Sequence, residues 1–253
     1  MANSSNPSNS RAKDRNVKFD LQAKWLYDQE IDPLSKRLAA LLRTKYFSGS
    51  VIKPRSLKLP PTAENFRDTI SAGIRLPPVC VDWVGSYGGK SLSARTCVTP
   101  PTEMLWNSSI EVEFSIGKTF AGGPFANVND LRDLALACAK AGPCPMTCVN
   151  PRDIDHGARL DVSKVTNTWA VPSAIEWITV LHQSIVDNMA VDLKEAETVP
   201  GVRVRKKGDF WWLILTPHPF QSNSPDDLRI QQQVAHAIDL PAIQARFPRH
   251  GTA

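Results

Sequence analysis

The stretch from Ile110 to Ala141 constrains the fold more than any other part of the chain. Ile110, Val112, Phe114 and Ile116 alternate with Glu111, Glu113 and Ser115. Period two over that length predicts a half-buried strand. A loop with Gly122, Gly123 and Pro124 as breakers follows, from Lys118 to Asn127. A helix then begins, with Asn129 as N-cap and Asp130 and Asp133 in its positive first turn. Leu131, Leu134, Ala135 and Cys138 form its apolar stripe, and Gly142-Pro143 ends it. The unit is strand, loop and capped helix, and it names no chemistry.

Around this unit the sequence predicts an α+β fold: one compact domain with a small antiparallel sheet packed by helices. Residues 1–18 read as a disordered basic N-terminal arm, 19–222 as the core, and 223–253 as a C-terminal helix and tail. Phe19 to Phe47 reads as two helical pieces. Asp20 caps the first and Asp32-Pro33 starts the second, whose buried face is Leu34, Leu38, Leu41, Leu42 and Tyr46. Ser48 to Pro61 reads as a linker, Ala63 to Ser71 as a short helix, and Val79 to Val84 as a strand. Pro143 to Asp161 reads as irregular, and Val165 to Val171 as a strand around Trp169. Ser173 with Glu176 reads as a capping box opening a core helix through Met189. Val202 to Leu215 reads as a hairpin, and Ser224-Pro225 starts a helix running to about Ile238.

Charge gives the first functional pointer. The formal net charge is +5 and the pI about 9, which favours acidic partners such as nucleic acid or anionic lipid. Three clusters carry it. Arg11, Lys13 and Arg15 lie on the arm. Lys36, Arg37, Arg43 and Lys45 lie on the second helix. Arg203, Arg205, Lys206 and Lys207 lie at the hairpin, beside Phe210, Trp211 and Trp212. Cation beside aromatic suits nucleic-acid stacking or interfacial lipid anchoring. A solvated tail, a charged solvent face and a basic turn on a buried hairpin are the structural alternatives. No apolar run approaches bilayer length, and Met1 to Ser10 lacks a signal-peptide core, so a reducing compartment is expected. Five cysteines, an odd number, fit free thiols.

Signals for catalysis are weak. Gly85-Ser-Tyr-Gly-Gly-Lys-Ser91 resembles a phosphate-binding loop, but only three residues separate Gly85 from Gly89 and no long helix follows. A glycine-rich turn between strands accounts for it better. Cys144, Cys148 and His156, with Cys138 nearby, are the one cluster able to hold zinc. The spacing is not that of a zinc knuckle, and packed free cysteines are the alternative. His182 falls on an apolar face and reads as a core residue. No catalytic residues, resident metal, cofactor or small-molecule substrate are expected.

Two segments, "IEVEFSIG … GGPFANVNDLRDLAL" and "VPGVRVRKKGDFWWLIL", together resemble rhabdovirus matrix proteins. The first is an alternating strand, a loop ending near Pro-Phe, and a helix with Asp near its start. The second is a strand, a basic turn with Gly and a Trp-containing strand. Leu59-Pro60-Pro61-Thr62 departs from the Pro-Pro-x-Tyr motif common in the family, so recruitment of host budding machinery by that route is not implied. The segment between the two matching pieces is short for animal-virus members. The resemblance implies a non-enzymatic virion protein that condenses the viral nucleocapsid, self-associates and binds the anionic inner membrane surface peripherally. The size and basic pI suit plant-infecting members, in which Arg203 to Lys207 double as a nuclear-import cluster. The implied locations are virion and host cytoplasm or nucleus. An RNA-binding coat or nucleocapsid protein, and a small zinc protein or enzyme, stand as alternatives.

Overall fold

The computed structural model describes residues 17–25, 31–53, 58–73, 79–87, 90–98, 108–116, 128–141, 146–151, 172 and 174–246. The fold is α+β, an antiparallel sheet packed by helices. Among the described residues the sheet has nine strands. In chain order they are β1 (Val17–Trp25), β2 (Ser48–Lys53), β3 (Val79–Tyr87), β4 (Lys90–Val98), β5 (Ser108–Ile116), β6 (Met146–Pro151), β7 (Ile178–His182), β8 (Arg203–Lys207) and β9 (Phe210–Ile214). Their order across the sheet is β2-β3-β4-β5-β1-β6-β7-β9-β8.

The central strand is a correction to the sequence reading. Phe19 to Trp25, expected as a helix, belongs to β1, and Val17 and Lys18 of the expected arm pair in it as well. The reason is period two: Val17, Phe19, Leu21, Ala23 and Trp25 are apolar at alternate positions. Antiparallel register then sets Val17, Phe19, Leu21 and Ala23 opposite Ile116, Phe114, Val112 and Ile110 of β5. On its other side Leu21 meets Val149 of β6, and Leu21 is fully buried. A slip of one residue would set apolar positions against polar ones, so the pattern fixes the register.

Four other expectations change. The supposed linker contains β2, and Ile52 bridges to Leu59 beyond it. The supposed irregular segment contains β6. The supposed capping-box helix is strand β7 in its first half, and helix α4 begins only at Gln183 and runs to Met189. The run Ile178-Thr179-Val180 is β-branched and buried throughout, which favours a central strand over a helix despite the helical spacing of its neighbours. The C-terminal tail contains a second helix, α6 (Leu240–Arg246). The expected strand around Trp169 lies outside the described residues.

The remaining helices form as expected. They are α1 (Ile31–Leu42), α2 (Ala63–Gly73), α3 (Val128–Ala141) and α5 (Pro225–Ala237). Helix α3 starts one residue before its expected cap, so Asn129 lies inside its first turn. Leu131, Leu134, Ala135 and Cys138 are buried, and α3 packs across β1, β6, β7 and β9. Ser224 caps α5 by accepting from the Asp227 amide at 3.3 Å, with Pro225 at the first helical position. Side chains of α5 and α6 tie the C-terminus to the core. Gln231 donates to the Ile175 carbonyl at 2.8 Å, Gln244 to that of Pro172 at 3.0 Å, and Arg246 to that of Met189 at 2.6 Å.

Truncation at the α3 stripe tests this core. Leu134→Ala, at a fully buried site, is expected to lower unfolding free energy by roughly 2–5 kcal/mol in a urea titration. Ser224→Ala, which removes only a cap, is expected to cost about 1 kcal/mol.

Candidate polyanion interface

Strand β8 is an edge strand, and its hairpin with β9 turns through Gly208-Asp209. Gly208 takes φ +62, the left-handed position that two-residue hairpin turns reserve for glycine. Val204 and Leu213 are buried and anchor the hairpin, while Arg205, Lys206 and Lys207 are exposed. Charge on an edge strand opposes pairing with another sheet, so part of this cluster serves the fold itself.

Each tryptophan of β9 carries a cation. The Lys206 ammonium lies 5.7 Å from the centroid of the Trp211 ring. That ring is fixed by its Nε1–H donating to Gln183 Oε1 at 2.8 Å. The Arg132 guanidinium, from the first turns of α3, lies 4.9 Å from the Trp212 ring. Arg132 is oriented by Asp133 at 2.8 Å and by Asn129 Oδ1 at 3.2 Å. Attraction between ring quadrupole and cation holds these charges at the hairpin. Arg132 was not a sequence candidate. Its place depends on α3 crossing β9, which no local pattern encodes.

The remaining candidates divide by their partners. Arg205 pairs with Glu197, which also accepts the Val204 N–H at 3.2 Å. That N–H bond first, then the hydrogen bond and charge of Arg205, pull the Glu197 carboxyl below its ordinary range. Arg203 is half-buried. Among the described residues no carboxylate pairs with Lys206 or Lys207. On α1, Lys36 is exposed and Arg37 half-exposed, opposite the buried Leu34, Leu38, Leu41 and Leu42; the helix ends at Leu42, so Arg43, also exposed, follows it and Lys45 lies in the 3-10 turn Lys45–Phe47. Lys45 lies 3.9 Å from Asp130 and 5.0 Å from the centroid of the Tyr46 ring. Asp130 and Arg132 are two residues apart, so the start of α3 brings the end of the α1 cluster towards the hairpin. Arg11, Lys13 and Arg15 lie outside the described residues.

The other candidate chemistries do not assemble among the described residues. Cys148 is buried in β6 and Cys138 is buried on α3, while Cys144 and His156 lie outside the described set. No three described His, Cys, Asp or Glu residues are grouped so as to hold a metal. The register of β3 and β4 runs to Tyr87 opposite Lys90, so Gly85 to Tyr87 and Lys90-Ser91 lie in paired strands, while Gly88 and Gly89 lie outside the described residues. His182 differs from expectation. It is half-buried and caps α4, its Nδ1 accepting from the Ser184 amide at 3.2 Å, with its ring edge-on to Phe210. An open groove between the 3-10 turn Leu193–Thr198 and α5 contains Arg229 and His236, but Arg229 is paired with Asp226 at 2.9 Å. No described helix is long and apolar enough to cross a membrane.

One buried group escaped the sequence reading. Glu176, read there as half of a capping box, is 1 % exposed. Burial pushes its carboxyl up to about 7, against a smaller opposing hydrogen bond from Asn150. Gln231 of α5 is 3.5 Å from Glu176 Oε2. Comparison with known proteins adds no identity, because no protein family and no curated protein matches this chain.

Glu176 sets a pH dependence. The folded state holds the neutral carboxyl, whereas the unfolded chain releases that proton near its ordinary value of 4.5. The stabilising contribution is therefore complete below pH 4.5 and is lost as pH rises through about 7. The window corresponds to about 3 kcal/mol. Glu176→Gln is expected to flatten the urea-unfolding free energy between pH 5 and pH 7.5, where the wild-type chain loses stability. Parallel pH profiles for the two proteins would remove Glu176 from this role.

Proposed function

We propose that this chain is a non-enzymatic viral structural protein of matrix type, binding polyanionic surfaces by charge. Its partners are the viral nucleocapsid and the anionic inner face of a membrane, with self-association. Its places are the virion and the host cytoplasm or nucleus, peripheral at membrane. The observation that carries the binding reading is the hairpin: Lys206 set over Trp211, beside exposed Lys207, with neither lysine paired to a described carboxylate. The exposed basic face of α1 adds to it. The viral assignment rests on the sequence resemblance.

One observation favours matrix over an RNA coat. Trp212 is only 8 % exposed and Arg132 lies over its ring, while Lys206 lies over Trp211. Base stacking requires open ring faces. Rings already engaged with cations offer charge in place of stacking, and charge is satisfied by a lipid surface or a ribonucleoprotein without base contacts. Contacts of that kind weaken steeply as salt rises.

A salt titration against anionic vesicles, with single-stranded RNA in parallel, tests the reading. Vesicle binding that falls steeply with salt, and weaker RNA binding, is expected. Lys206→Ala with Lys207→Ala is expected to weaken vesicle binding about thirtyfold at low salt, since each lysine near such a surface contributes about 1 kcal/mol. Tight RNA binding with vesicles ignored would transfer the reading to a coat protein. Indifference to both would refute it.

A further inference from the structure

Glu176 lies where the sheet meets the C-terminal helices. Its backbone is pinned: the Glu176 N–H donates to Thr179 Oγ1 at 2.9 Å, and that hydroxyl donates to the Glu176 carbonyl at 3.2 Å. Its side chain is buried, and Oε1 has no partner. The groups that reach it are neutral: Asn150 from β6, and Gln231 from α5 at 3.5 Å from Oε2. Among the described residues no charged side chain pairs with it. A carboxylate without counter-charge is strongly unfavourable in such a place, so burial selects the protonated form. The same junction carries both C-terminal helices. Gln231 of α5 donates to the Ile175 carbonyl at 2.8 Å, and Gln244 of α6 to that of Pro172 at 3.0 Å, both just ahead of Glu176.

We propose that Glu176 is a pH-sensitive latch: its neutral carboxyl seats α5 and α6 on the segment ahead of β7, and its ionisation releases them while the sheet stays intact. Strand β7 cannot yield, because β6 and β9 hold it on both sides. Helix α5 joins no strand. It packs on α6 and on the 3-10 turn Leu193–Thr198, and an open groove of about 540 Å³ lies between it and that turn. The seated helices hold the proton and the released ones give it up, so acid closes the latch and rising pH loosens it. Other titratable groups touch α5. His218 Nε2 lies 3.8 Å from the buried Asp227, Arg229 pairs with Asp226, and exposed His236 lines the groove. Imidazoles lose charge over the same span of pH, so both histidines need controls. The latch is independent of the polyanion reading and stands or falls without it.

The test is native-state hydrogen exchange of the full chain from pH 5 to pH 8, read as protection factors and repeated at urea concentrations below the unfolding transition. Amides of α5 and α6 are expected to exchange through a local opening that depends little on urea and precedes global unfolding. Their protection is expected to fall about tenfold per pH unit from pH 5 to pH 7, one proton leaving per opening, and then to level off. Glu176→Gln is expected to remove that fall, and His218→Gln and His236→Gln to leave it in place. Gln231→Ala, which cuts the tie from α5 and keeps Glu176, is expected to lower the protection of α5 at pH 5 and not that of β7. Exchange of α5 only through the opening that also exposes β7, with the same urea dependence, would overturn the latch and leave Glu176 acting on global stability alone. A fall that survives in Glu176→Gln, or that either histidine variant abolishes, would overturn it as well, as would an equal loss of protection in α5 and β7 on Gln231→Ala.

Discussion

The pairing of β1 with both β5 and β6 is the constraint on which the sheet depends. Strands β2 to β5 form one antiparallel run, and β6, β7, β9 and β8 form another. Only β1 joins them. Helix α3 connects β5 to β6 in sequence and packs across β1, β6, β7 and β9. The central strand therefore comes from the N-terminal part of the chain and waits for partners made much later. Such non-local pairing costs loop-closure entropy before it returns any burial, which predisposes this topology to slow folding.

From that scaffold the hairpin inherits its position. Strand β9 pairs with β7, whose described side chains are buried from Ile178 to Leu181, so one side of the hairpin is locked to the core. Its other side, β8, is the sheet edge and carries the charge. Lysine and arginine there both discourage edge pairing and present cations outward. The two roles reinforce each other, since a charge that must stay in solvent is also one that an anionic surface can reach. Tryptophan makes the arrangement stiffer, because Trp211 is held by Gln183 and in turn holds Lys206.

The sequence was most legible where one period dominates. The alternation of β5, the stripe of α3, the Ser224-Pro225 helix start and the β8–β9 hairpin all stand where local pattern places them. It was least legible where two periods fit. In β1, Asp20 suggests a cap, yet five apolar residues alternate strictly, and the strand prevails because β5 and β6 offer matching registers. In β7, neighbours at helical spacing masked a β-branched run that is buried throughout. The basic residues of the hairpin were visible as a cluster, but their differences were not. That Arg205 meets Glu197, Lys206 covers Trp211 and Arg203 lacks a partner follows from tertiary packing. Arg132 and Glu176 owe their character wholly to segments distant in sequence.

The most direct test of the central claim is a hydrogen-exchange footprint of the whole chain on anionic vesicles against the free protein. Added protection is expected on the backbone of residues 203–212, with a smaller effect on residues 36–43, at the end of α1 and just beyond it. Protection confined to other segments, or an unchanged hairpin on vesicles that demonstrably bind the protein, would contradict it.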